Sequence, residues 1–310
     1  MFSKYIDNSN KEDGTYLSID EILTNIMSYE QWRTTPQEDP HTNEPLRYEI
    51  EKIFDDNQQI EIMGLNITYN YIKYSYDTVI SGQEDNPISA ERLRQISGAI
   101  VIYSDGTRTQ YLMDRARGAN ALRILRVINN SGRNKIIQAQ SFGISEDLFI
   151  WLISRFMSDN RLIDEEEELM ISRIIGFKGE GSQSQAILSG SGNEVMNLFS
   201  SLSFLIEMDE MTEIEVRLEH RRSIYEIRFY SKNSQVDVLV ENYVGEYMML
   251  GDEEKDPKVL LSTFIEIIPT IINSYNEEKN NDVWTNESKR EFTLELAGSV
   301  RQRLDQLLNQ

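Results

Sequence analysis

The chain contains no cysteine. That excludes disulfides, thiolate zinc sites, iron–sulfur clusters and a cysteine nucleophile. Histidine is almost as scarce: His41 and His220 are the two in 310 residues. A Ser-His-Asp triad or a multi-histidine metal centre has almost nothing to draw on. His41 lies in the polar stretch TTPQEDPHTNEP and is read as a solvated loop residue; His220, between Glu219 and Arg221 near a strand end, is read as a surface residue. Long apolar runs are missing as well. The longest, LFIWLI at 148–153, falls far short of the roughly 18–20 residues that a membrane span needs. The N-terminal stretch MFSKYIDNSNKEDG has no apolar signal core. A cytoplasmic protein with no membrane contact is the expectation.

What is there is charge, mostly of one sign. Against 31 Lys+Arg stand 52 Asp+Glu, a formal net charge of −21. Hydrophobic residues make up 39%, with fifteen Tyr and three Trp, enough to bury a real core without a metal or a disulfide. Residues 91–140 run against the acidic trend, with nine basic and three acidic side chains.

The periodicities mix helix and strand in blocks. SIDE at 18–21 has the form of a capping box and opens a helix running to about Trp32. LRYEIEKIF at 46–54 reads as a second helix. ITYNYIKYSYDTVI alternates and is dense in Tyr, Ile and Thr, which is strand composition. Asp105-Gly106 between AIVIYS and TRTQYLM predicts a hairpin with a two-residue type I′ turn. Helices follow at 119–128, at 145–157 with Ser145 as cap, and at 164–175. The Gly/Ser-rich stretch at 176–193 is read as a boundary, and 194–208 as helix. TEIEVRLEH, SIYEIRFYS and QVDVLVENY read as an antiparallel meander. Asp256 and Pro257 are expected to start a helix, Pro269 to kink it, and 287–308 to form the last one. This predicts an α+β fold of antiparallel sheets with helices, in two halves: 1–175, carrying the basic segment 91–140, and 176–310.

The strongest candidate site is DRARGANALRILR at 114–126, which holds Arg115, Arg117, Arg123 and Arg126. Arg108 before it, and Arg133 and Lys135 after it, extend the set. Small residues at a helix start let a phosphate approach backbone N–H groups, with guanidinium forks around it. The competing reading pairs these arginines with the chain's own carboxylates or with an acidic partner. Screening over about 8 Å at physiological salt lets a local patch bind phosphate on an acidic protein. Neutralising about six phosphates implies a log–log salt slope near −5. Tyr69, Tyr71, Tyr74, Tyr76, Tyr103 and Tyr111 crowd the preceding strands. They are read as sheet faces, with base stacking as the alternative.

Other signals are weaker. GFKGEGS lacks a Walker spacing, while Gly190, Ser191, Gly192 and Asn193 have the composition of an anion nest. DEEEE at 164–168 and GDEEKD at 251–256 are read as solvated helix starts. Phe292, Leu296, Val300, Leu304 and Leu307 form an apolar stripe on the last helix, suited to its own core or to a dimer. No catalytic, metal or cofactor site is assigned. The function expected is a non-enzymatic subunit of an intracellular bacterial assembly, phage defence included. It would bind a partner protein, a second copy or nucleic-acid backbone through the arginine patch. The alternative is a metal-dependent nucleic-acid-processing enzyme working with carboxylates.

Overall fold

The computed structural model describes residues 1–132, 136–180, 185–189, 203, 205–206, 210–232 and 235–309. It is an α+β protein built on two antiparallel sheets, one in each of two compact units, Met1–Gln140 and Ser141–Gln310. Residues 175 and 176, where the sequence suggested a boundary, fall inside a twelve-residue strand instead. The first glycines of the Gly/Ser-rich stretch pair across strands; they do not form a linker.

In the N-terminal unit the strands are β1 (Ser3–Asp7), β2 (Tyr48–Lys52), β3 (Gln58–Ile62), β4 (Leu65–Val79), β5 (Leu93–Ser104), β6 (Thr109–Met113) and β7 (Ile137–Gln140). They run in the order β2-β4-β5-β6-β1-β7, with β3 also on β4. Residues 46–54 are therefore not helical. Tyr48, Ile50 and Lys52 alternate along β2 and pair with Tyr76, Tyr74 and Ile72 of β4. The β5–β6 hairpin exists, but Ser104 pairs with Thr109, so its loop has four residues. The Asp105 carboxylate explains the extra length: it accepts from the Thr107 N–H at 2.9 Å, while Gly106 takes φ 89°.

Helices α1 (Ile19–Met27) and α4 (Ala119–Ile128) cover one sheet face. Ser18 and Glu21 cap α1 reciprocally, as the sequence pattern requires. Ile19, Ile22, Leu23 and Ile26 of α1 meet Ala121, Ile124, Leu125 and Ile128 of α4 in one core with the sheet's Ile72, Ile100 and Tyr111. The three- and four-residue spacings in each helix are what makes one apolar stripe. Asn25 donates to the Asn129 carbonyl at 2.7 Å and joins the two helices. Two single-turn helices, α2 (Tyr29–Trp32) and α3 (Ser89–Arg92), complete the unit. All six tyrosines singled out from the sequence are buried in it.

The C-terminal unit has strands β8 (Leu162–Asp164), β9 (Leu169–Glu180), β10 (Gln185–Ser189), β11 (Glu210–His220), β12 (Ser223–Tyr230) and β13 (Gln235–Val238), ordered β10-β9-β11-β12-β13 with β8 on β9. The expected helix at 164–175 is this β8–β9 hairpin. Leu169 and Ile171 are buried along β9, and Glu168 takes φ 52° in the acidic turn. The anion-nest residues 190–193 and almost all of the helix expected at 194–208 lie outside the described residues.

Helices α5 (Glu146–Met157), α6 (Asp252–Ser262), α7 (Ile268–Asn280) and α8 (Asn286–Leu308) belong to this unit. Helix α6 starts at Asp252, so Pro257 lies inside it and not at its first position. A π-helical turn, Thr263–Ile267, joins α6 to α7 just before Pro269. Proline offers no N–H to the carbonyl four residues back, and a widened turn accommodates that missing bond. The charged side chains of β11 and β12 form their own ladder: Arg228 donates to Glu215 at 2.9 Å and Arg217 to Glu226 at 2.7 Å. No helix among the described residues is long and apolar enough to cross a membrane.

Candidate ligand-binding groove

The arginines that cluster in the sequence do not form one surface. Arg108 and Arg115 flank the two ends of β6, about 20 Å apart at strand rise. Arg108 stacks on Tyr16, its guanidinium carbon 4.3 Å from the ring centre, and donates to Asn8 at 3.2 Å. Arg115 is a strut of the sheet. Its Nε donates to the Tyr74 hydroxyl at 3.1 Å and its Nη2 to the Ser97 carbonyl at 2.5 Å, bridging β4 and β5 from the end of β6. Helix α4 begins only at Ala119, so Arg115 does not share its face. Arg117 is half-buried. Arg133 and Lys135 lie outside the described residues. Two earlier members of the basic segment part company as well: Arg92 is buried on Asp39, with bonds of 2.7 and 2.6 Å, while Arg94 is exposed on β5.

Arg123 and Arg126 remain, on α4. Arg123 is exposed and, among the described residues, makes no ion pair. Arg126 is half-buried, and its Nε has no hydrogen-bond partner. Arg123 and Val127 line a groove of about 260 Å³. Its other walls come from Tyr76, one of the tyrosines singled out in the sequence, with Asp77 and Thr78 beside it on β4, and from residues that the sequence did not single out: Trp32 and Arg33 after α1, Gln37 on the following loop and Tyr48 on β2.

The groove combines an aromatic wall with two arginines, Arg33 and Arg123, and one carboxylate, Asp77. Tyr48 is central. Tyr29, Trp32 and Tyr76 surround it with ring centres at 5.3, 6.0 and 5.7 Å. The Arg33 guanidinium carbon lies 4.0 Å from the Tyr48 ring centre, and Arg33 Nη1 has no hydrogen-bond partner. The Trp32 indole N–H is anchored on the Asn25 carbonyl at 3.0 Å. Burial pushes the Tyr48 and Tyr76 phenols above their ordinary value, with Arg33 and Arg123 respectively opposing it. Both rings are neutral at physiological pH.

The loop that carries Arg33 and Gln37 is held in two ways. Its backbone closes on itself through Leu46 N–H to Gln37 O and Asp39 N–H to Glu44 O, both at 2.8 Å. Asp39 then pins it to α3 through the buried fork of Arg92, which holds the Asp39 carboxyl at about 2. Deeper in the sheet, the Tyr74 ring lies across Gly98. A β-carbon there would stand 2.6 Å from the Tyr74 hydroxyl, so glycine makes room for the Tyr74 ring at the end of the tilted Tyr74–Tyr76–Tyr48 row. Tyr76 and Arg123 were the two residues of this site that the sequence signalled, while Trp32, Arg33 and Tyr48 carried no signal of their own.

His220 is a correction. It is 5% exposed, not a surface residue. Burial first, then the adjacent Arg221 charge, depress its imidazole, while burial raises the neighbouring Glu266 carboxyl against the pull of Arg221.

No protein-family model matches the chain, and no curated protein matches it.

Proposed function

We propose that the N-terminal unit is a non-enzymatic binding module for single-stranded nucleic acid. A base stacks on the Trp32–Tyr48 wall, and the flanking phosphates meet Arg33, Arg123 and Arg126. The observation that carries this reading is the pair Arg33 and Arg123. In a chain with 52 carboxylates, neither has a carboxylate within ion-pair distance among the described residues, yet both line an aromatic groove. Aromatic stacking and guanidinium contacts together are how single strands are held without sequence preference. The groove is small beside the roughly 300–1,000 Å³ of enclosed small-molecule sites. That suits one ring of a longer ligand whose remainder stays in solvent.

Three cations imply a shallow salt dependence. At about −0.7 per phosphate the log–log slope is about −2, a loss of roughly fifteenfold between 50 and 200 mM salt. This replaces the slope near −5 expected from the sequence for about six phosphates.

The test is fluorescence anisotropy with labelled single- and double-stranded DNA and RNA. Wild type should prefer single strands with that slope, and Arg33→Ala with Arg123→Ala should lose at least tenfold in affinity while unfolding as wild type does. Absence of binding at 50 mM salt rejects nucleic acid as the ligand and leaves an acidic protein partner for the same cations.

A further inference from the structure

In the C-terminal unit three loops and turns converge on one cluster. His220 ends β11, Glu167 lies in the β8–β9 turn, and Glu266 sits in the π turn. One ligand atom from each lies within 4.8 Å of the other two. His220 Nε2 and Glu266 Oε1 are 3.5 Å apart, and both residues are 5% exposed. His220 Nε2 has no hydrogen-bond partner, and the Glu266 Oε1 that faces it is approached by Arg221 Nη2 at 3.0 Å, outside hydrogen-bond geometry. A buried imidazole nitrogen left without a partner is unfavourable, so His220 Nε2, facing a carboxylate 3.5 Å away, asks for a group between the two. Glu167 is less buried, at 22%, and opens the cluster to solvent.

We propose that Glu167, His220 and Glu266 form a binding site for a divalent transition ion of the zinc class. Bond lengths of about 2.1 Å put the edge of a zinc tetrahedron near 3.4 Å, close to the observed 3.5 Å between His220 Nε2 and Glu266 Oε1. An imidazole nitrogen with two carboxylates selects zinc-like ions; magnesium and calcium take oxygen donors. Two carboxylates neutralise the ion, and the fourth position, on the Glu167 side, is left to water. The π turn is the local device that brings Glu266 into place, and such turns recur at ligand sites.

Arg221 is the competitor. Its Nη2 lies 2.6 Å from Glu167 and 3.0 Å from Glu266, so a guanidinium supplies the positive charge when no metal is bound. Yet Arg221 stands on the β11–β12 turn with its side chain 53% exposed, free to swing outward. The ion and the guanidinium therefore exchange for the same two carboxylates. Removing Arg221 should strengthen metal binding, a result that no purely structural ion cluster would give.

The experiment titrates the full chain with Co2+, read by visible absorption, and with Zn2+, read by calorimetry, both in millimolar Mg2+ to occupy the acidic surface. The expected result is one ion per chain, with cobalt bands of a four-coordinate nitrogen–oxygen site. His220→Ala and Glu266→Gln should each weaken binding at least tenfold. Arg221→Ala should tighten it about tenfold, and His41→Ala should leave it unchanged. Should His220→Ala fail to fold, the isosteric Glu266→Gln carries the loss and Arg221→Ala the gain. No binding by wild type, binding indifferent to Glu266→Gln, or weaker binding by Arg221→Ala each overturns the proposal.

Discussion

Arg115 and Arg123 are eight residues apart and look equivalent in the sequence, yet their replacement should have opposite consequences. Arg115→Ala removes a guanidinium that bonds the buried Tyr74 hydroxyl at 3.1 Å and the Ser97 carbonyl at 2.5 Å. Hydrogen bonds to charged groups are worth about 1.5–3 kcal/mol when protected from water. The Ser97 bond is the more exposed of the two and counts for less. The loss is therefore about 2–3 kcal/mol, or a fall in Tm of roughly 6–9 °C for a unit of this size. Arg123 makes no hydrogen bond or ion pair among the described residues, so Arg123→Ala should stay within about 0.5 kcal/mol of wild type. Calorimetry on both variants measures the contrast, and a cycle with Tyr74→Phe isolates the Arg115–Tyr74 term, expected at about 1 kcal/mol. The reasoning fails if Arg115→Ala unfolds like wild type while losing ligand, because Arg115 would then belong to the binding surface and not to the sheet.

Three further expectations follow from the same unit. Arg33→Ala alone should weaken single-strand binding more than Arg126→Ala, since Arg33 stacks on the groove's central ring; anisotropy on the two variants decides it. Gly98→Ala should cost about 1–3 kcal/mol by overpacking, because its methyl would displace the Tyr74 ring; in a Tyr74→Ala background the same substitution should cost much less on thermal unfolding. The Asp39–Arg92 pair makes the groove loop acid-sensitive. With the folded pKa held at about 2 by Arg92, against an unfolded value of about 4, its contribution is complete above pH 4 and is lost as the pH falls through 2. Asp39→Asn should flatten that part of a stability–pH curve between pH 4 and 2, and an unchanged curve would remove the pair from the account.

Local signals in the sequence were reliable where a short-range bond creates the structure. Ser18 with Glu21 and Ser145 at α5 each act within a few residues and do so in the structure, and Asp105-Gly106 marks the hairpin, though with a four-residue loop in place of the two-residue turn. Apolar spacing was less decisive. Leu46, Ile50 and Ile53 fit a helical face, but Tyr48, Ile50 and Lys52 also fit a strand, and the long β4 beside them selected the strand. The same ambiguity turned Asp164–Ile175 from an expected helix into the β8–β9 hairpin.

By itself, the sequence determined the α+β class, the acidic background and the one segment of opposite sign, because composition and short-range bonds need no partner from elsewhere in the chain. Tertiary structure alone decided what each charge does. Arg92 meets Asp39 across 53 residues and Arg115 meets Tyr74 across 41, while Arg123 is left facing a groove. His220, Glu167 and Glu266 come from three separate elements nearly a hundred residues apart in the chain. A side chain's charge is local, but its partner, its burial and hence its role are set by residues that only folding brings within a few ångströms.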